Sequence, residues 1–299
     1  MEATFIKVCD KQLYVEIHGD AAAPPLLYLH GGPGEGCYEF MLHQSRRLSD
    51  QLRLIGIDQR GVWRSEEIGE SEPLALEDLV EDCEQLRKEL GIAKWSVLGH
   101  SFGGLLGVRY AGKYPDSVKS LILEGPSLDL PKSLQSWLRK AAGLYESLEK
   151  SEQAQACLAA AGDNRPPFEL LHSFFELGEG LGELRMKVYT PNEGNNYTEM
   201  SYSDSETEEF GRRSYIHLSK LMKEGRMFDP VLPVLKELTV AVLLIKGRHD
   251  PITCEEQTRT FVENTRNGTL KIYEECGHLP HFEAPDRFAA DVIRFVTRP

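Results

Sequence analysis

The sequence predicts an α/β protein with a mainly parallel sheet, helices on both of its faces, and a helical insertion over the ends of the strands. Three observations carry that prediction. Short apolar runs alternate with helix-like patterns through the first 124 residues and again after residue 239, the rhythm of strand–helix–strand units. Gly99-His100-Ser101-Phe102-Gly103 sits where the run Trp95-Ser96-Val97-Leu98 passes into a stretch able to wind as a helix. Between about Leu128 and Leu238 the strand rhythm stops and helical spacing takes over.

Taken in order, residues 4–8 and 12–18 alternate apolar and polar around Asp10-Lys11, a hairpin signal. Leu26-Leu27-Tyr28-Leu29 reads as a buried strand running into His30-Gly31-Gly32-Pro33-Gly34, and Leu52 to Ile57 as another ending at Asp58-Gln59-Arg60-Gly61. Leu76, Leu79, Val80, Cys83, Leu86 and Leu90 mark one face of an amphipathic helix closed by Gly91. Strands at 95–98 and 120–124 flank the Ser101 segment and its helix. In the insertion, Leu134, Trp137, Leu138, Ala141, Tyr145 and Leu148 mark a long helix and residues 167–177 a second, whereas Pro191 to Gly211 reads as a polar, acidic loop. Strands resume at Val240 to Ile245 and Thr269 to Tyr273, and a closing helix begins at Pro285. The domain reading is a core of residues 1–127 and 239–299 with a helical cap at 128–238.

A chain of 299 residues with 41% hydrophobic content can bury a large core. The formal charge of −13 argues against nucleic acid or an anionic membrane surface as partner and suits a small molecule or short peptide, cationic ones included. The six cysteines are scattered without metal-ligand spacing, which fits free thiols in a reducing compartment. The start of the chain lacks a basic stretch followed by an apolar one, and the longest apolar run, Val240 to Ile245, is too short to span a bilayer. A cytoplasmic location is the expectation, with no metal and no cofactor.

Gly-x-Ser-x-Gly at a strand-to-helix junction is the pattern of a nucleophile elbow, where a tight turn exposes the serine hydroxyl. A serine hydroxyl needs a base, and the base an orienting carboxylate. Asp250, after the 240–245 strand, and His278, after the 269–273 strand, follow Ser101 in the required chain order. His281 is the competing base and reads as a packing or cap-contact residue. His249 points away from its neighbour on an extended segment, and Asp58 and Asp229 fall elsewhere in the order. The N–H groups of Phe102 and of Gly32 are the candidate oxyanion donors.

These segments resemble the α/β-hydrolase superfamily, and within it the proline iminopeptidase group with its tricorn-interacting aminopeptidases. His30-Gly31-Gly32-Pro33-Gly34, Asp58-Gln59-Arg60-Gly61 and Gly277-His278 followed by Glu283-Ala284-Pro285 carry the likeness. The resemblance implies an eight-stranded sheet, a Ser101, Asp250 and His278 triad, and an oxyanion hole at Gly32 and Phe102. Pro191-Asn192-Glu193 is similar to a segment whose glutamate binds the substrate amine, which implies that role for Glu193. A second such glutamate would directly follow the triad aspartate, where this chain has Pro251. Glu199, Glu206, Glu208, Glu209 and Glu224 are alternatives. The elbow has His100 and Phe102 where the group favours Gly and Trp, and Trp63 brings a large ring that narrows the site.

The function read from the sequence is a serine hydrolase. It would release an N-terminal residue from short peptides or arylamides, or, as the alternative, act on small esters or lactones.

Overall fold

Eight strands form one sheet in the order β1-β2-β4-β3-β5-β6-β7-β8. They are β1 (Glu2–Val8), β2 (Lys11–His18), β3 (Pro25–Leu29), β4 (Arg53–Ile57), β5 (Trp95–His100), β6 (Val118–Glu124), β7 (Ala241–Gly247) and β8 (Gly268–Tyr273). The β1–β2 and β2–β4 pairs are antiparallel, and every pair from β4 to β8 is parallel. This computed structural model describes residues 2–162, 165–191 and 202–298.

Strand alternation divides the apolar side chains between two cores. Leu27, Leu29, Val97, Leu121, Leu123, Val242 and Leu244 face one core, which receives α2 (Leu76–Glu89) and α3 (Phe102–Lys113). Leu26, Tyr28, Leu98, Ile122, Leu243 and Ile245 face the other, under α1 (Tyr38–Leu48) and a C-terminal helix starting at Pro285. The middle of each central strand is therefore largely apolar because water reaches neither face there, and each fully buried Leu, Ile or Val contributes roughly 1.5–3 kcal/mol. The predicted face of α2 is the buried one: Leu76, Leu79, Val80, Cys83 and Leu86.

Between β6 and β7 the described residues form helices and no strand. These are α4 (Leu130–Ser147), α5 (Ser151–Gly162), α6 (Pro167–Glu179), α7 (Met186–Tyr189) and α8 (Asp204–Glu224), with short 3-10 turns after α6 and α8. After β7 come α9 (Glu255–Asn264), α10 (Pro280–Glu283) and α11 (Pro285–Val296). The expectation of a loop from Pro191 to Gly211 is corrected from Asp204 onward, where the 21-residue α8 begins. Ser203 accepts from the Glu206 N–H while Glu206 accepts from the Ser203 N–H. That capping box was legible as Ser-x-x-Glu, but the acidic composition of the first turn masked it. Among the described residues no helix is long and apolar enough to cross a membrane.

Candidate active site

Ser101 stands at the turn between β5 and α3 with φ 53° and ψ −116°, a backbone conformation that L-residues rarely adopt. The turn can close only because its flanks lack side chains. A Cβ on Gly99 would collide with the Gly103 backbone, and one on Gly103 with the Leu29 backbone. The serine is fixed from both sides: its N–H donates to Glu124 O (2.9 Å), and its carbonyl accepts from the N–H groups of Gly104 (3.0 Å) and Ser127 (3.1 Å). Phe102 opens α3, so its N–H lacks an intrahelical partner.

The loops after β7 and β8 bring Asp250 and His278 to the same edge. His278 Nδ1 lies 3.0 Å from Asp250 Oδ1, which also accepts from the Ile252 N–H at 2.8 Å. Burial alone would raise the Asp250 carboxyl, but His278 and Lys246 outweigh it and hold the group below the usual carboxylate range. The His278 loop is clamped by Glu283, whose carboxylate accepts from the N–H groups of Gly277 (2.9 Å) and Leu279 (3.0 Å), and the His278 N–H donates to Tyr189 O (2.8 Å). Those contacts give the Glu283 carboxylate its role in holding Gly277-His278.

The glycine loop after β3 is held through His30. This ring is fully buried and kept neutral by burial; Nε2 accepts from the Gln59 N–H (3.0 Å) and Nδ1 faces Gly31 O (3.0 Å). Neighbouring Asp58 has no part beside His278. It is a buried carboxylate that accepts from the Cys37 N–H (2.8 Å) and from Arg64 Nε (2.7 Å) and Nη2 (2.8 Å), while Arg64 lies over the Tyr14 ring at 3.8 Å. Burial pushes Asp58 up, but Arg64 prevails and the carboxyl is held low. Replacing Arg64 with Ala should cost about 3 kcal/mol in a denaturation experiment. That is the lower end of the range for a broken buried pair, because the Cys37 and residue-64 N–H donors remain.

Ser101, His278, Gly32, Phe102 and Trp63 all line one cavity of about 540 Å³. Its walls are apolar side chains of α4, α6 and α8, Leu134, Phe174, Phe175 and Leu218 among them. Trp63 stacks on Phe210 of α8 (5.0 Å, 4°), and α8 is further tied to the core by Arg213 Nη1 on Trp63 O (2.8 Å) and Ser214 Oγ on Gly34 O (2.5 Å). Sequence reasoning missed two charged lining residues, Glu35 and Arg185, the latter over the Phe174 ring at 5.1 Å. Glu35 directly follows the glycine loop, a position that could have drawn notice; Arg185 sits in a stretch with no motif.

Glu193 and Glu199 lie outside the described residues. Glu206 caps α8, Glu209 pairs with Arg212 and Arg213, Glu224 pairs with Arg226, and Glu208 is exposed, so none of these four lines the cavity.

His281 is corrected from a packing or cap contact to part of a buried charge cluster beneath the elbow. Its Nδ1 lies 2.8 Å from Glu124 Oε1 and its Nε2 2.7 Å from Glu39 Oε2. With a carboxylate at each nitrogen both must carry a proton, so the ring is an imidazolium. Burial disfavours that cation, but Glu124 and Glu39 raise it well above the ordinary histidine value. Burial likewise pushes Glu124 up, yet His281 and His100 bring it down to about 2. Donor atoms of His100, Glu124 and His281 gather within 4.8 Å, the spacing of a metal site. An imidazolium has no free lone pair, so His281 does not suit ligation.

A nucleophile-type turn in front of a parallel sheet, with acid and histidine on later strand ends, defines an alpha/beta hydrolase fold protein. The sequence profile of the alpha/beta hydrolase fold family matches residues 24–285, and the chain belongs to that family. Within it the chain resembles proline iminopeptidases. That of Neisseria gonorrhoeae is 39% identical over 158 residues, 52% of this chain and 48% of the relative, so the match spans about half that relative's length. The proline iminopeptidase of Heyndrickxia coagulans is 26% identical over 278 residues, 91% of this chain and 90% of the relative. Among solved structures, proline iminopeptidase from Mycobacterium smegmatis superposes with a TM-score of 0.69 at 21% identity, covering 99% of this chain and 97% of the other. An esterase from Exiguobacterium antarcticum does so with 0.67 at 19% identity, covering 99% and 100%. At such identities the structural likeness speaks to the fold alone.

Proposed function

We propose that the protein is a serine hydrolase whose triad is Ser101, Asp250 and His278 and whose oxyanion donors are the N–H groups of Gly32 and Phe102. The observation that carries this reading is the 3.0 Å His278–Asp250 contact on a cavity that also holds the strained Ser101. In the reaction, His278 Nε2 takes the Ser101 proton as Oγ attacks an acyl carbon, and the two N–H groups meet the oxyanion that forms. His278 then protonates the leaving group, and a water activated by the same ring releases the acyl group from Ser101. Asp250 keeps Nδ1 as the proton-bearing nitrogen, leaving Nε2 to act as base.

The substrate class we favour is a short peptide or arylamide from which a proline-like or small apolar N-terminal residue is removed. The named relatives support it, as does an apolar cavity roomy enough for such an acyl group. The helices between β6 and β7 would act as the cap, and the cytoplasm as the setting. A carboxylesterase or lactonase is the second reading, favoured by the same apolar walls and by Pro251 directly after Asp250.

Rates on prolyl and alanyl 4-nitroanilides, measured beside 4-nitrophenyl esters and acyl lactones, separate the two. Saturable release of nitroaniline from the prolyl or alanyl substrate is expected for the peptidase, whatever the faster rate on the activated esters. Ester or lactone turnover with no anilide cleavage would replace it with the second reading.

A further inference from the structure

The geometry points to Glu35 as the residue that selects substrates carrying a cation on the carbon next to the scissile carbonyl, namely the free α-ammonium of an N-terminal residue. The inference rests on Ser101 being the nucleophile of the proposed reaction.

Glu35 is the only carboxylate on the cavity wall among the described residues. Its position relative to Ser101 follows from Gly31: the place a Cβ there would occupy is 3.0 Å from Glu35 Oε2, 3.0 Å from His100 Cδ2 and 3.1 Å from Ser101 Cβ. Glu35 Oε2 and Ser101 Cβ thus both lie within 3.1 Å of one point. An acyl carbon attacked by Ser101 Oγ has its α-substituent one bond further on, within reach of a carboxylate so placed. A substituent that is an ammonium would find a charge-assisted acceptor there.

The carboxylate is also free for this task. Its side chain makes no hydrogen bond or ion pair to a described residue, whereas Glu206, Glu209 and Glu224 of the insertion are engaged at α8 or its ends. The other charged group on the wall, Arg185, lies over Phe174 at 5.1 Å. An acyl group entering the site therefore meets negative charge beside Ser101 and apolar surface beyond it. A proline-like or small apolar residue with its amine unblocked matches both.

The test compares L-proline methyl ester with cyclopentanecarboxylic acid methyl ester, which share a ring and leaving group and differ in the ammonium. The wild-type protein should favour the prolyl ester at a pH where its amine is charged. Glu35→Gln should lose about tenfold of that preference, read as the ratio of kcat/KM for the two esters and carried chiefly by the KM of the prolyl ester. Glu35→Lys, a change in an exposed side chain, should disfavour the prolyl ester outright. An unchanged preference in both variants, or a wild type that favours the cyclopentane ester, would overturn the assignment. The peptidase reading fails separately: wild type that leaves prolyl 4-nitroanilide intact but keeps a Glu35-dependent ester preference is an aminoacyl esterase with Glu35 in its stated role.

Discussion

Ser101→Ala is expected to keep the wild-type fold and lose turnover by about 10⁴-fold or more. The loss should appear in kcat, because without Oγ no acyl-enzyme can form and only the oxyanion donors and the bound geometry remain to assist water. A fluorophosphonate probe should label the wild type and leave the variant unlabelled. Wild-type turnover in the variant would sink the nucleophile assignment, whatever the substrate. Stability provides a second readout at the same position. Alanine retains the cost of a φ of 53°, so the melting temperature should hardly move. Ser101→Gly relieves that strain and should raise the unfolding free energy by about 1 kcal/mol while also abolishing turnover.

Glu124→Leu is expected to cost about 3–5 kcal/mol, the penalty for breaking a buried ionic group by removing one partner. The variant leaves His281 with a single carboxylate, Glu39, and removes the acceptor of the His281 backbone N–H, now at 2.7 Å. A Glu124→Leu/His281→Phe double variant should recover much of the loss, since an apolar pair demands no charge compensation. The pH dependence has a definite sign. The Glu124 carboxyl is depressed from 4.5 to about 2 on folding, so its contribution is complete above 4.5 and disappears as pH falls through 2. His281 is raised from 6.5, so its contribution is complete below 6.5 and is lost as pH climbs through the folded value. The stability gap between wild type and double variant should thus be widest between pH 4.5 and 6.5. Urea unfolding at pH 3, 5.5 and 9 would show it, and a gap that does not change with pH would contradict the charged arrangement.

Strand and helix patterning made the scaffold readable because each central strand is buried on both faces and so advertises itself as an apolar run. Leu26 to Leu29, Trp95 to Leu98 and Val242 to Ile245 are all of this kind. The amphipathic α2 was equally plain, its Leu76, Leu79, Val80, Cys83 and Leu86 stripe meeting the sheet. Helix α8 was harder. Its buried side chains are few, His217 and Leu221, and its polar face is long, so period 3.6 is faint and the Ser203–Glu206 capping box had to speak for it.

By itself, the sequence determined the order of the eight strands, the amphipathic α2 and which polar residues stand at the strand ends. Gly99 and Gly103 bracket a serine because no other residue lets that turn close, and Asp250 and His278 follow in loops that a parallel sheet must bring to one edge. Only the tertiary structure decided which charges face one another. Glu39, Glu124 and His281 are separated by as many as 242 positions yet form one cluster, buried at Glu124 and His281, and Glu35 comes close to Ser101 across a gap that no local pattern records. Periodicity reports burial, which is a property of each residue's own element; the pairing of charges depends on how distant elements pack, and that is written only in three dimensions.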